Sequence, residues 1–353
     1  MFFKDFEPDY RNIVTCARNK EAKRLPLYEH SISDKKMEEI INVNFVPLCR
    51  GDQKDIREYF RYVCTFYKDM GYDTVSFERC ISLALPNSGA LRNSSITPAI
   101  QTMEDFKKYP WEEIPDIFIK KTDKFFNALR DVLPEGMKAV GGVGNGVFEI
   151  VQNLTGYQGL CYISADDEEL YKALFQKAGE ISLKIWQRFM KEHGDIYCVL
   201  RFGDDLGFKS NTMLSAHDIR TLIIPQYKPI VDLVHSYNKP FLWHSCGNIF
   251  NVMDDMIDVV GIDAKHSNED LIAPFSVWVE KYGDKIGNFG GLDVDTVCRC
   301  SSKTELKEYI EDVIVKSENH GGFAIGTGNS IPVYVPAENY INMVEIIREY
   351  RGA

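Results

Sequence analysis

His244 and Cys246 stand two residues apart in Trp243-His244-Ser245-Cys246-Gly247-Asn248, and an imidazole nitrogen beside a thiolate sulfur is a donor pair suited to zinc. At the end of a β-strand, side chains i and i+2 share a face. Both residues could then reach one ion, with bonds of about 2.0 Å to nitrogen and 2.3 Å to sulfur. A satisfied core histidine beside a packed cysteine has the same spacing, so the pair is not specific alone. Gly203-Asp204-Asp205-Leu206-Gly207 offers carboxylates for acid–base work or for a metal, or an Asx turn capping the next segment. Ala324-Ile325-Gly326-Thr327-Gly328-Asn329-Ser330-Ile331-Pro332 gathers glycines and small polar residues, which suits a substrate or anion pocket or a tight turn. Cys298-Arg299-Cys300 has chelating spacing, but it precedes a helix near Ser302 with no neighbouring histidine and reads as incidental. His193, His217, His235 and His320 fall at helix surfaces or ends and are assigned no role.

The elements that must position these residues follow from apolar patterning. Short apolar or β-branched runs bounded by Gly, Pro or Asp occur at residues 25–30, 74–79, 137–143, 195–203, 240–246, 259–265, 286–291 and 322–326. Residues 159–164 compete for strand status, but the capping pattern Ser164, Asp166, Asp167, Glu168 follows at once and places them in a helical connector. Between the runs lie helical periodicities at 56–70, 113–133, 168–192, 217–236, 249–259, 269–282, 303–318 and 336–351. Strand and helix alternating eight times predict an α/β fold, a (β/α)8 TIM barrel over residues 24–353, with an N-terminal helical extension over residues 1–23. Functional side chains of such a barrel lie at the C-terminal strand ends. That rule selects Glu29 and His30, Glu78 and Arg79, Asn145 and Glu149, Asp204 and Asp205, His244 and Cys246, Lys265 and His266, Asp293, and the turn 326–330.

A chain of 353 residues, 44% hydrophobic, can bury the core that a barrel needs. Its net charge of -11, with no block of Lys and Arg, argues against nucleic acid as a partner. Acids at Asp5, Glu7 and Asp9 exclude a signal peptide from the N-terminus, and no apolar run of roughly 18 residues predicts a membrane span. Nine scattered cysteines fit a reducing cytoplasm, the expected location.

Several strand-end stretches together resemble the uroporphyrinogen decarboxylase superfamily. They are Gly203-Asp204-Asp205-Leu206-Gly207, Met213-Leu214-Ser215, Lys239-Pro240 leading into His244-Ser245-Cys246-Gly247-Asn248, and Gly290-Gly291-Leu292-Asp293. Gly321-Gly322-Phe323-Ala324, with Pro336, Glu338 and Asn339, completes the likeness, which covers the chain from about Leu25 onward. The resemblance implies a (β/α)8 barrel, in agreement with the strand count. True decarboxylases are similar to one another in an arginine-rich segment after strand one and an Asp ending strand two. Here those places read Tyr28-Glu29-His30-Ser31-Ile32-Ser33 and Phe77-Glu78-Arg79-Cys80, and acids there would repel an octacarboxylate.

The branch of methylcobalamin:coenzyme M methyltransferases and related O-demethylase and methylamine proteins is the better likeness. In that branch a His-x-Cys pair and a further Cys on strand eight bind zinc; His244 and Cys246 match the pair, and Asn329 stands in the place of the third ligand. Asn is a poor zinc ligand. Glu78, Asp204 or Glu29 would complete the shell, or the metal is weakly held or lost. The resemblance thus implies a corrinoid-dependent methyltransferase acting between a small methoxy, methylamine or thiol compound and a separate cobalamin-binding protein. His244 and Cys246 would hold zinc, and Glu78 or Asp204 would complete the shell or move a proton. Glu29, Asn248, Gly328, Asn329 and Ser330 would shape the substrate pocket. The sequence holds no Asp-x-His-x-x-Gly motif, so cobalamin is expected on the partner; pairing into a homodimer is also consistent with the resemblance. The rival readings are a decarboxylase-like lyase, with Arg79 and Arg201 binding carboxylates, and a non-catalytic barrel binding a corrinoid or metabolite.

Overall fold

Seven of the eight expected apolar runs form strands in the computed structural model, which describes residues 5–93 and 95–351. They are β1 (Thr74–Cys80), β2 (Lys138–Gly144), β3 (Tyr197–Gly203), β4 (Phe241–His244), β5 (Ala264–His266), β6 (Gly287–Leu292) and β7 (Phe323–Thr327). All neighbours are parallel and the order follows the sequence. This is an α/β fold with a curled seven-stranded sheet, consistent with a TIM-like barrel.

The first expected strand is a correction. Residues 25–30 form no regular strand: Leu27 makes an isolated parallel bridge to Ile325, and the Ser76 hydroxyl donates to the Glu29 carbonyl. The segment therefore lies between β7 and β1 with a shortened ladder, and Pro26, lacking an N–H, cannot extend it. The run expected from residue 259 also starts late, because residues 256–260 stay helical until Gly261 turns the chain at φ 83.

The helices are α1 (Arg11–Ala17), at the strand starts, and, around the outside, α2 (Gln53–Asp69), α3 (Ile114–Arg130), α4 (Val147–Thr155), α5 (Tyr157–Asp166), α6 (Glu168–His193), α7 (Ile224–Ser236), α8 (Phe275–Tyr282), α9 (Lys303–Ser317) and α10 (Ala337–Tyr350). Residues 159–164 are helical, within α5. The capping residues mark the starts: Asp52 and Asp55 form a capping box on α2, Asp167 caps α6 and Ser302 caps α9. No helix among the described residues is long and apolar enough to cross a membrane.

Alternation along the strands divides the core in two. Trp243 and Ile325 face outward into the large helix-covered cluster, whereas Val140, Leu242, Ala264, Phe289 and Ala324 face inward. Ile13, Cys16 and Ala17 of α1 join the inner cluster, so α1 seats against the strand starts, opposite their C-terminal ends. Residues 1–4 of the expected extension lie outside the described residues. A Cβ on Gly287 would stand 2.2 Å from the Cys16 carbonyl oxygen. Gly287→Ala is expected to lower stability by about 2 kcal/mol in denaturant unfolding, because backbone must move to admit one methyl; an unchanged midpoint would show that α1 does not seat there.

Candidate functional site

His244 ends β4 on the face of Leu242, so it points into the barrel mouth. The chain beyond it is fixed by a contact between two glycines: a Cβ on Gly247, at φ +82, would lie 2.2 Å from the Gly207 carbonyl carbon. With their backbones in touch, Gly207 N–H donates to the Cys246 carbonyl (3.1 Å), Asn248 N–H to the Phe208 carbonyl (2.7 Å), and Cys246 N–H to Asp205 Oδ1 (2.9 Å). Three donors of different chemistry thereby converge. His244 Nε2 lies 3.5 Å from Cys246 Sγ and 3.8 Å from Asp205 Oδ1, within one cluster of potential ligand atoms. Donors bonded to one tetrahedral zinc stand roughly 3.5 Å apart, so the residues present fit that ion. Of the strand-end carboxylates, Asp205 lies in this cluster, whereas the sequence reading had offered Glu78, Asp204 or Glu29.

The β4–β5 register pairs His244 with His266, whose Nδ1 is 2.7 Å from His244 Nδ1 and whose Nε2 is 3.0 Å from the Thr327 carbonyl oxygen. His30 stacks on His244 at 4.0 Å between ring centroids. Burial lowers the pKa of all three rings, His266 to about 3 and the other two well below the ordinary value, so they are neutral. A neutral imidazole is the form that binds a metal. Burial, reinforced by the Asp205 charge, raises the Cys246 thiol pKa. Ser267 Oγ and Asn329 Nδ2 each donate to its sulfur at 3.4 Å. Asn329 Oδ1 accepts from Ser330 N–H, which turns the amide nitrogen toward the sulfur. Asn329 supports the cysteine as a hydrogen-bond donor.

The donors open on a cavity of about 210 Å³ that Glu78, Glu149, Asn329 and Ser330 also line; larger hollows elsewhere contain neither His244 nor Cys246. Glu78 is ion-paired with the enclosed Arg201, at 3.0 Å from Nε and 2.8 Å from Nη2. Arg201 Nη1 also donates to the Tyr28 hydroxyl and the His30 carbonyl. Arg79 faces the helices, its guanidinium 3.8 Å over the Phe125 ring.

Other expected site residues have their polar atoms committed to the scaffold. Asp204 is fully buried and caps α4, accepting from Phe148 N–H (2.9 Å), Glu149 N–H (2.8 Å) and the Tyr227 hydroxyl. Glu29 is buried, accepts from the Thr327 N–H and hydroxyl, and is pushed up to about 8 by burial. Asn248 braces the loop after β3 through its bridge to Phe208, and Gly328 leaves room for the Asn268 backbone. Asp293 caps the helix after β6. His193 and His235 pair with Asp123 and Asp263 at 2.7 Å, away from the mouth.

Sequence reasoning selected Asp205, His30, His266 and Glu149 as strand-end candidates without giving any of them a particular part in the site, and it missed Ser267. His266 was findable from register, because it ends the strand beside His244. Glu149 begins the helix after β2, where its carboxyl accepts from Asn145 Nδ2 at 2.5 Å. Burial and then the charges of Asp204 and Asp205 raise its pKa to about 8.

The sequence matches the family described as "Uroporphyrinogen decarboxylase (URO-D)" over residues 11–350. Among solved structures the chain is similar to a methyltransferase from Methanosarcina mazei, with a TM-score of 0.71 and 14% identity over 98% of this chain and 99% of that one. It is also similar to a putative vitamin-B12 independent methionine synthase from Listeria monocytogenes, with a TM-score of 0.51 and 11% identity over 94% of this chain and 100% of that one. At these identities the two structures bear on the fold. No match is found among curated proteins.

Gly247→Ala is expected to cost roughly 1–3 kcal/mol, because φ +82 strains a residue with a side chain and the added methyl meets backbone. Thermal unfolding measures the loss; an unshifted transition would contradict the Gly207–Gly247 contact.

Proposed function

Because the chain belongs to the uroporphyrinogen decarboxylase family, we propose that it is a methyltransferase built on that barrel, moving a methyl group from a small donor to a corrinoid carried by a separate protein. The observation that carries this reading is the Asp205, His244 and Cys246 donor set at the strand C-termini, where barrel enzymes work. Zinc held by these three residues would act as a Lewis acid on the heteroatom of the donor. The likeness of fold to a methyltransferase supports the reading. So does the cavity of about 210 Å³ at that place, a volume on the scale of a small molecule. A tetrapyrrole carboxy-lyase is disfavoured because Arg201 is spent on Glu78 and Arg79 faces the helices.

The chain's own groups divide the remaining work. Glu78 neutralises Arg201 and leaves that part of the wall without net charge. Ser267 and Asn329 hold the sulfur in place. Glu149 is the carboxyl placed to give a proton to the departing heteroatom, the role the sequence reading gave to Glu78 or Asp204. Asp204 instead holds the helix on which Glu149 rides.

Mixing zinc-loaded protein with cob(I)alamin and a panel of methoxy, methylamine and methylthiol donors tests the reading by absorption spectroscopy. Donor-dependent formation of methylcobalamin is expected; no methylation with any donor class, alongside decarboxylation of a porphyrinogen, would overturn it. Glu149 adds a pH signature. Its folded pKa is raised, so the proton is present below about 8 and lost above it, and turnover is expected to fall as pH rises through about 8. Glu149→Gln should lower kcat by roughly 10²- to 10⁴-fold and abolish that limb; a variant that keeps the limb would exclude Glu149 as the proton donor.

A further inference from the structure

We propose that His266 is a positioning residue that sets the tautomer of His244, so that the bare lone pair of His244 Nε2 faces Cys246 Sγ and Asp205. The Thr327 carbonyl oxygen can only accept a hydrogen bond, so His266 Nε2, 3.0 Å away, must be the donor. A neutral ring carries one N–H, which leaves a lone pair on His266 Nδ1. His244 Nδ1, 2.7 Å from it, must then donate. The single proton of His244 is used there, and its Nε2 carries none. The reverse arrangement would set the Nε2 lone pair of His266 against the carbonyl lone pairs of Thr327, with nothing in between at 3.0 Å.

Three elements hold the relay in place. The β4–β5 ladder pairs His244 with His266, and the β6–β7 register places Thr327 opposite Leu292 at the end of the neighbouring strand. His30 covers the face of His244, with the ring planes 29° apart. Both His244 and His266 are buried, and their Nδ1 atoms face each other at 2.7 Å, which leaves no room for water between them. A metal-binding histidine commonly gives its other N–H to a carboxylate or carbonyl; here a second histidine stands between that N–H and the carbonyl.

The inference rests on reading His244 as a metal ligand, and its test separates the two claims. In metal-free protein labelled with [15N]histidine, long-range 1H–15N spectra are expected to show a protonated Nδ1 and an unprotonated Nε2 for His244. His266→Phe removes the acceptor; it should lose that pattern and weaken zinc binding by roughly 10- to 100-fold in competition with a chelator. His266→Asn, whose amide reaches the place of Nδ1, should restore most of the affinity, which a loss of packing alone would not predict. A wild-type His244 protonated on Nε2, or a His266→Phe protein binding zinc as tightly as wild type, would overturn the proposal. The expected tautomer with no zinc uptake by the wild type would uphold the relay and contradict the metal reading.

Discussion

The touching backbones of Gly207 and Gly247 are the constraint on which the barrel mouth depends. Two parallel strands alone would leave the chains beyond β3 and β4 to diverge. With no Cβ on either glycine, the two loops close to hydrogen-bonding distance on both sides of the contact. Asp205 is thereby brought to the Cys246 N–H and within 3.8 Å of His244 Nε2. A carboxylate, an imidazole and a thiol beyond two neighbouring strands are held in one cluster, the kind of backbone-fixed arrangement that a metal site needs.

Around that cluster the mouth balances charge pair by pair. Arg201 is buried, and such a cation is tolerated only when matched; Glu78, the Tyr28 hydroxyl and the His30 carbonyl match it. Asp204 is likewise fully used by two backbone N–H groups and Tyr227, which fixes the first turn of α4 and so the position of Glu149. Carboxylates adjacent in sequence thus separate in role: Asp204 holds a helix, and Asp205 faces the cavity.

Much of the fold was legible in the sequence because parallel strands buried on both faces read as apolar runs, and seven of the eight runs form strands. The eighth was misread because Pro26 and polar neighbours limit residues 25–30 to one bridge, although the segment still lies against β7. His244 and Cys246 were legible because strand parity puts both on one face. Asp205 was not: parity cannot choose between Asp204 and Asp205 once the chain leaves β3, and the choice is made by the Gly207–Gly247 contact and the cap on α4. Asn329 looked like a missing ligand in the sequence, yet its amide faces the sulfur it supports.

The central claim is that Asp205, His244 and Cys246 form one metal site, and metal content by mass spectrometry tests it most directly. Wild-type protein reconstituted with zinc and desalted should retain about one zinc per chain. His244→Ala and Cys246→Ala should retain none, Asp205→Ala should retain clearly less than wild type, and Ser330→Ala, which trims the same cavity without touching the cluster, should match wild type. A wild type that holds no zinc, or an Asp205→Ala protein indistinguishable from Ser330→Ala, would contradict the account.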